Sequence, residues 1–300
     1  MIYTVTLNPS LDYVMTLDKM MTNGVNRSVA EDMTFGGKGI NVSYGLLQWG
    51  VETKAIGFSG GFTGEKLEQI LAEKKIPADF IRLSHGDTRI NVKVRALVES
   101  ELNARGPEIA ETDMVRLMYK LKGMKKGDVL VLAGSIPGKM SEDTYEKIIQ
   151  GIEDNDIQVV VDTSGDALLS TLPHKPFLIK PNIYEVSDIF GYEITEDDEI
   201  EGAARELQSR GARNVLISMG EKGALLLDEK GEVHRELAPM GIVKNTVGAG
   251  DSMIAGFLAG WMMTRDYDQA LRMAVAAGSA SAFHEELATR EQIQEVLQQM

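Results

Sequence analysis

The 300 residues carry a formal net charge of −14, and 43% of them are hydrophobic. A chain of this size can bury a large core, and its lack of cysteine excludes disulfides, thiolate metal sites and cysteine nucleophiles. The negative balance excludes general nucleic-acid binding, which needs a basic face. No run approaches the roughly 18 apolar residues of a membrane span, and no basic signal region opens the chain. We therefore expect a cytoplasmic protein with neither a nucleic-acid nor a membrane partner.

Apolar strand-type runs alternate along the chain with stretches of helical period. The strand-type runs are residues 2–7, 54–58, 129–133, 158–161, 177–179 and 215–218. The helical stretches are residues 40–49, 65–74, 113–121, 143–152, 199–209, 250–263, 267–283 and 290–299. This alternation predicts one α/β domain over residues 1–300, with a mainly parallel sheet covered on both faces.

Two segments, residues 11–33 and 88–106, interrupt this alternation. They are strand-like but mixed in polarity, and residues 89–95 alternate strictly between polar and apolar side chains. Such a pattern predicts a half-exposed antiparallel sheet. We expect the two insertions to form a small lid that leaves the main layer and covers one edge.

Residues 245–252 are rich in small side chains and lead directly into an apolar helical stretch. The backbone amides of Gly248, Ala249 and Gly250 can converge there on an anion, assisted by the helix N-terminus. A carboxylate at Asp251 would compete with that anion. Its presence makes sense if it removes a proton from a hydroxyl that attacks a bound phosphate. The alternative is that Asp251 only caps the helix.

A second glycine cluster, residues 35–42, also opens a helical stretch. Gly36 and Gly37 allow a ligand to approach the backbone, Lys38 supplies a charge and Asn41 a donor. The alternative is a plain turn before a helix. The cluster is not a phosphate-binding Walker A loop, because Gly39 follows Lys38, and neither cluster completes a dinucleotide fingerprint.

Two further strand-to-turn junctions are candidates for binding. Asn182 and Glu185 lie one helical turn apart and are suited to a hydrated Mg²⁺ near phosphates, or to a helix cap. Residues 218–223 could accept a nucleotide or form a tight turn.

Residues 57–61 match the GxSxG pattern of serine hydrolases, with Ser59 as the nucleophile. We expect Phe62 and Thr63 to delay the next helix, whereas a hydrolase elbow turns directly into one. His234 and His284 lie downstream, where that family's base would follow, but the four histidines show no paired metal-binding spacing.

These segments, in this order, resemble the ribokinase-like (PfkB) carbohydrate kinases, within their phosphosugar branch. The resemblance extends over nearly the whole chain. The other segments that match the family are residues 6–12, 86–93, 132–137 and 278–283. It implies a three-layer α/β/α sandwich with a mainly parallel central sheet of about nine strands. It also implies a small β-sheet lid through which such kinases frequently form homodimers.

The resemblance implies a role for each candidate residue. Asp251 is the catalytic base, with Gly248, Ala249 and Gly250 as the anion hole. The substrate-binding residues are Asp12, Gly36, Gly37, Lys38, Asn41, Arg89, Asn91, Arg105 and Ser135. The residues binding ATP are Lys180, Asn182, Ser218, Met219, Gly220, Glu221, Lys222, Gly223, Val247 and Ser252. Asn182 and Glu185 hold Mg²⁺ through water.

The implied reaction is ATP-dependent phosphorylation of the C6 hydroxyl of D-fructose 1-phosphate, giving fructose 1,6-bisphosphate. The lid sequence 100–108 departs from the family's Thr-Glu-Ile-Asn-Gly…Gly-Pro-Gly pattern and ends in Gly-Pro-Glu. That ending is also similar to tagatose-6-phosphate kinases. Tagatose 6-phosphate and fructose 6-phosphate therefore remain alternative acceptors, and a phosphosugar-binding regulator is the alternative outside enzymes.

Overall fold

The computed structural model describes residues 1–153 and 156–300. Its strands are β1 (Ile2–Thr6), β2 (Ser10–Thr16), β3 (Ala30–Gly36), β4 (Thr53–Ser59), β5 (Ile81–Arg82), β6 (Arg89–Arg95), β7 (Ser100–Asn103), β8 (Val129–Ala133), β9 (Gln158–Asp162), β10 (Leu178–Ile179), β11 (Asn214–Ser218), β12 (Ala224–Leu227) and β13 (Val233–Glu236). Its α-helices are α1 (Lys38–Gln48), α2 (Gly61–Glu73), α3 (Glu111–Leu121), α4 (Thr144–Gln150), α5 (Gly165–Leu169), α6 (Ile183–Phe190), α7 (Asp197–Ser209), α8 (Ala249–Thr264), α9 (Tyr267–Ala282) and α10 (Arg290–Gln299).

Nine strands form the main sheet, in the order β13-β12-β11-β10-β9-β8-β1-β4-β5. The seven strands from β11 to β5 pair in parallel, and the β11-β12-β13 edge is antiparallel. Parallel strands require crossover connections, which the intervening helices supply. The predicted mainly parallel sheet is therefore confirmed.

Strand β8 shows why helices cover both faces. All five of its residues are apolar and buried. Leu130 and Leu132 pack into one core cluster together with helices α3, α4 and α7, whereas Val129 and Val131 pack into a second cluster with α1, α8 and α9. Because side chains alternate across a strand, an unbroken apolar run of this kind needs a layer of helices on each side. The chain thus forms the predicted three-layer α/β/α sandwich.

A second, four-stranded sheet is built from the two interrupting segments, in the order β3-β2-β6-β7. The outer pairs are antiparallel, as expected, but β2 and β6 run parallel, with Asp12 opposite Asn91. The expectation of a wholly antiparallel sheet was wrong in this central pair. The reason is that β2 and β6 come from different insertions and lie next to each other without a hairpin between them.

Residues following several strands of the main sheet meet beneath the second sheet. They come after β1, β8, β9, β10 and β11, whose parallel directions place their carboxyl ends at one edge. Ligands of open α/β sheets bind at this edge. No helix within the described ranges combines the length and the apolar composition needed to cross a membrane.

Candidate active site

A cavity of about 1930 Å³ lies at this edge, with residues of the second sheet along one side. Most of the predicted site residues line it, namely Asp12, Gly37, Lys38, Asn41, Arg89, Asn91, Ser135, Lys180, Asn182, Glu185, Ser218, Met219, Gly220, Glu221, Lys222, Gly223, Val247, Gly248, Ala249, Gly250 and Asp251. Three predicted residues are not among the lining residues: Gly36, Arg105 and Ser252. The tertiary structure thus gathers segments that are distant in sequence into one concave site.

Helix α8 begins at this cavity. Its N-cap, Gly248, has a left-handed φ of 79°, and a Cβ there would lie 2.5 Å from Leu287 Cδ2, so glycine is favoured at this position. The Ala249 amide donates to Thr246 O at 3.2 Å, whereas the amides of Gly248 and Gly250 have no acceptor among the described residues. Two free amides at a helix N-terminus suit an anion.

Asp251 lies in the first turn of α8 and is only 4% exposed. Its Oδ2 accepts a hydrogen bond from Asn41 Nδ2 at 2.8 Å, and its side chain makes no capping hydrogen bond. The capping alternative is therefore not what the structure shows. Burial and the nearby charge of Asp162 raise the pKa of Asp251 to about 6, against the opposing effects of Lys38, Asn41 and Lys180. A carboxyl with this pKa is a competent proton acceptor near neutral pH.

Asp162 ends strand β9 and is 1% exposed. Its two oxygens lie 3.3 Å from Lys38 Nζ and 3.3 Å from Lys180 Nζ. Burial alone would raise the pKa of Asp162, but the charges of Lys180 and Lys38 hold it below its usual value. Lys180 also lies against α8, because a Cβ on Gly250 would be 2.9 Å from Lys180 Nζ. A cluster of two cations and one anion therefore flanks the first turn of this helix.

On the second-sheet side, Asp12 is held by three donors. Its Oδ1 accepts from Ser10 Oγ at 2.7 Å and from Asn91 Nδ2 at 3.1 Å, and its Oδ2 lies 3.0 Å from Lys93 Nζ. Gly36 packs against this group, since a Cβ there would lie 2.4 Å from Asp12 Oδ1. Gly36 thus shapes the site from behind without lining the cavity.

Arg89 joins this sheet to the turn after β1. Its Nε donates to Asn8 O at 3.1 Å and its Nη1 to Ala104 O at 3.2 Å. Burial lowers the pKa of Arg89 below its usual value, although a guanidinium remains charged. The side chain of the neighbouring Arg105 is exposed and outside the cavity, and its carbonyl accepts from Asn8 Nδ2 at 2.9 Å.

Asn182 and Glu185 form a capping box at the start of α6. Asn182 Oδ1 accepts from the amides of Tyr184 and Glu185, each at 2.9 Å, and Glu185 Oε2 accepts from the Asn182 amide at 2.8 Å. The capping alternative is therefore what the contacts show. Both residues nevertheless line the cavity, and the second oxygen of Glu185 makes no hydrogen bond within the described residues.

Residues 218–223 form a tight connection between β11 and β12. A short 3₁₀ helix spans Gly220–Lys222, and Gly220 and Gly223 have φ values of 60° and 84°. The tight-turn alternative is therefore correct for its backbone, and the turn also lines the cavity. Ser252, by contrast, is buried and its Oγ pairs with Ser281 Oγ at 2.8 Å.

A model of the pfkB family of carbohydrate kinases matches residues 5–293. The chain belongs to this family. The resemblance found in the sequence is thus confirmed, and with it the fold class and the assignment as a kinase.

Curated relatives of this kinase match it along almost its entire length. It is 44% identical over 297 residues to the 1-phosphofructokinase of Bacillus subtilis (strain 168), covering 99% of this chain and 97% of the relative. It is 37% identical over 284 residues to the D-tagatose-1-phosphate kinase of Bacillus licheniformis, covering 94% and 93%. Among solved structures, phosphofructokinase-2 from Escherichia coli in complex with fructose-6-phosphate superposes with a TM-score of 0.92, at 29% identity and covering 99% and 98% of the two chains.

The GxSxG segment of this kinase is not a hydrolase site. Strand β4 ends at Ser59 and α2 begins at Gly61, so the expected delay before the helix was wrong. The serine is nevertheless buried, and its Oγ donates to Glu68 Oε1 at 2.7 Å. The ring of His234 contacts Asp228 and Asp268, and His284 contacts Ala280 O. Among the described residues, no imidazole serves Ser59 as a base.

Lys93 and Asp162 are among the cavity residues that the sequence analysis did not assign to the site. Lys93 lines it beside Asp12, and the period-two alternation of residues 89–95 carried the signal, because it places Arg89, Asn91 and Lys93 on one face. Asp162 directly follows the predicted strand 158–161, at the edge where parallel strands end. A polar residue at that position was the available signal.

Proposed function

We propose that this kinase transfers the γ-phosphoryl group of ATP to the C6 hydroxyl of D-fructose 1-phosphate, forming fructose 1,6-bisphosphate. The observation that carries the proposal is the buried Asp251, whose pKa is raised to about 6, beside free amides of the same helix N-terminus. Two curated relatives named for ketose 1-phosphates support this acceptor class. Of these, the 1-phosphofructokinase shares more of this sequence.

In this mechanism, Asp251 accepts the proton of the attacking hydroxyl as the new O–P bond forms and the bond to the β-phosphate oxygen breaks. Asn41 keeps the Asp251 carboxylate oriented through its 2.8 Å hydrogen bond. The amides of Gly248, Ala249 and Gly250 then stabilise the charge on the transferred group, with the Ala249 amide released from its 3.2 Å contact to Thr246. Positioned base catalysis of this kind typically contributes about 10² to 10⁴ in rate.

The acceptor lies on the second-sheet side of the cavity. Asp12, Asn41 and Asn91 hold sugar hydroxyls, and Ser135 lies beside the sugar. Lys38 and Arg89 bind the existing phosphate, since each is a cation lining the cavity. Arg105 is left out, because its side chain is exposed outside the cavity.

ATP lies along the turn of residues 218–223 and the residues before α8, with Lys180 and Val247 at its phosphates. The donor chemistry also fits Mg²⁺, which prefers oxygen ligands and retains several waters. Glu185 offers its free carboxylate oxygen, and Asn182 offers only a side-chain N–H₂, because its oxygen caps α6. Glu185 would therefore hold the ion through water, the Asn182 N–H₂ would donate to a phosphate oxygen, and the bound ion would neutralise charge on the phosphates.

The proposed function is tested by comparing acceptors with Mg-ATP in an assay that detects ADP. We expect the highest kcat/KM with fructose 1-phosphate, against tagatose 1-phosphate, tagatose 6-phosphate and fructose 6-phosphate. A higher value with another acceptor would transfer the assignment to that sugar. Tight binding of a phosphosugar with no ADP formed from any acceptor would favour the regulator alternative.

Activity should fall as the pH is lowered through about 6. Protonation of Asp251 removes the base, and the pKa of this carboxyl is raised to about 6 by burial and by Asp162. The measurement is kcat at saturating substrates from pH 5 to 8, with recovery of activity at pH 7.5 as the control for irreversible unfolding. A flat profile down to pH 5 would contradict the base assignment.

Replacing Lys93 should weaken phosphosugar binding selectively. Lys93→Met leaves Asp12 Oδ2 without its 3.0 Å cationic partner. Losing a hydrogen bond to a charged group costs on the order of 1.5–3 kcal/mol, so KM for the phosphosugar should rise roughly tenfold or more while KM for ATP stays similar. The surface substitution Lys66→Met is the control. Equal increases in both KM values would mean that Lys93 only supports the fold.

We also propose that the kinase works in the cytoplasm as a homodimer formed through the second sheet. Exposed apolar side chains concentrate in that sheet and its loops, namely Met20, Met21, Val25, Val29, Met33, Ile90, Leu97, Val98 and Leu102. Apolar surface of this kind is typical of an interface. Mass measured by light scattering decides this point, since a monomer at micromolar concentration would exclude it.

A further inference from the structure

The cluster of Lys38, Asp162 and Lys180 is not accounted for by substrate binding alone. Asp162 is 1% exposed, and both of its oxygens lie next to lysines. Removing a carboxylate from water carries a large desolvation free energy, which nearby cations must offset. A residue whose only task was to fill space would not need a charge here.

The positions of the two lysines explain why a carboxylate is needed between them. Lys38 starts α1, and Lys180 follows β10 and lies against Gly250 in the first turn of α8. Both ammonium groups lie within 3.3 Å of the same carboxylate, so they are close to each other. Without a shared anion they would repel one another, and their long side chains would occupy other rotamers. Asp162 fixes both in one arrangement beside the helix N-terminus.

Asp162 also acts on Asp251 through space. The groups facing Asp251 come from three elements or their ends: Lys38 and Asn41 of α1, Asp162 of β9, and Lys180 after β10, with no other charged group of α8 nearby. Lys38, Lys180 and Asn41 favour the ionised form of Asp251. Asp162 is the one group among them that opposes it, and it helps to raise the pKa of Asp251 to about 6. A stronger base takes a hydroxyl proton more readily.

We propose that Asp162 is a positioning residue for phosphoryl transfer, which holds Lys38 and Lys180 in place beside Asp251 at the start of α8. This inference rests on the proposed function. It assigns to Asp162 a role separate from contact with the sugar or the nucleotide.

The test is Asp162→Asn, which keeps the shape of the side chain and removes its charge. We expect kcat/KM to fall at least about tenfold, because the lysines lose their shared partner. The acid limb of the kcat profile, which is the fall of kcat at low pH, should also move to lower pH by roughly 1 unit. The reason is that a like charge near Asp251 has been removed. A purely structural residue would lower activity without moving that limb, because a smaller folded fraction scales the whole profile.

A double variant keeps the test valid if the single variant folds poorly. Asp162→Asn with Lys38→Met removes one charge of each sign, so its acid limb should lie close to that of the parent enzyme. The matched control is Asp228→Asn, which removes a fully buried carboxylate outside the cavity and should leave the limb in place.

The outcomes separate the inference from the proposed function. If the parent enzyme forms ADP and the acid limb of Asp162→Asn coincides with that of the parent, the positioning role is overturned while the kinase assignment stands. If the parent enzyme forms no ADP with any ketose phosphate, the proposed function fails and this inference fails with it.

Discussion

Asp251→Asn should lower kcat at least about a hundredfold while the protein remains folded. The amide cannot accept a proton from the attacking hydroxyl, but it can keep an oxygen for the hydrogen bond from Asn41. KM values should change much less than kcat, because binding of either substrate does not require the proton acceptor. The measurement is steady-state turnover of the variant and the parent enzyme in the same ADP-release assay.

Thermal unfolding provides an independent check on this variant. The pKa of Asp251 is raised to about 6 from 3.8. At pH 7 this carboxyl is ionised in the folded chain, where ionisation is less favourable than in the unfolded chain. An acid whose pKa is higher in the folded than in the unfolded chain destabilises the fold at any pH above both values. Asp251→Asn should therefore melt no lower than the parent enzyme at pH 7.

The control for Asp251→Asn is Asp113→Asn. Asp113 is also buried and lies in the first turn of a helix, but it pairs with Arg116 outside the cavity. Its replacement should leave kcat within about twofold of the parent value, as expected for a site without transition-state contacts. If Asp251→Asn retained near-parental turnover while still folded, Asp251 would not be the base.

Lys38→Met is expected to have the next largest effect. Lys38 binds the existing phosphate of the acceptor, and losing a hydrogen bond to a charged group costs on the order of 1.5–3 kcal/mol, so kcat/KM for the phosphosugar should fall about ten- to hundredfold. KM for the phosphosugar should rise more than KM for ATP. The substitution keeps the aliphatic stem that packs at the start of α1, so the change reports mainly on the charge.

The pH profile gives Lys38→Met a second, signed readout. The charge of Lys38 lowers the pKa of Asp251, so its loss should move the acid limb of kcat to higher pH. This shift is opposite to the one expected for Asp162→Asn. The control is Lys147→Met, on the surface of α4, where the ammonium pairs with Asp143. Parental kcat/KM and an unmoved limb in Lys38→Met would show that this lysine is dispensable.

Element positions were largely predictable because they depend on local patterns. The apolar run 129–133 gave a strand with those bounds, and the helix predicted over residues 290–299 has the same bounds in the structure. The start of α2 was misplaced, because Gly61 enters the helix with a φ of 57°, a conformation that no apolar period encodes. The motif around Asp251 was equally predictable, because its small residues and its carboxylate are consecutive in sequence.

The composition and motifs of this chain determined its class, its layers and its candidate base, because each depends on residues that are near one another in sequence. Only the tertiary structure decided which side chains of the site contact one another. Asn41 reaches Asp251 across 210 positions of the chain. Asp162 joins two lysines from different elements, and the parallel pairing of β2 with β6 sets Asp12 beside Asn91. Such contacts arise from sheet order and register, which a local pattern does not specify, and the burial they create raises the pKa of Asp251.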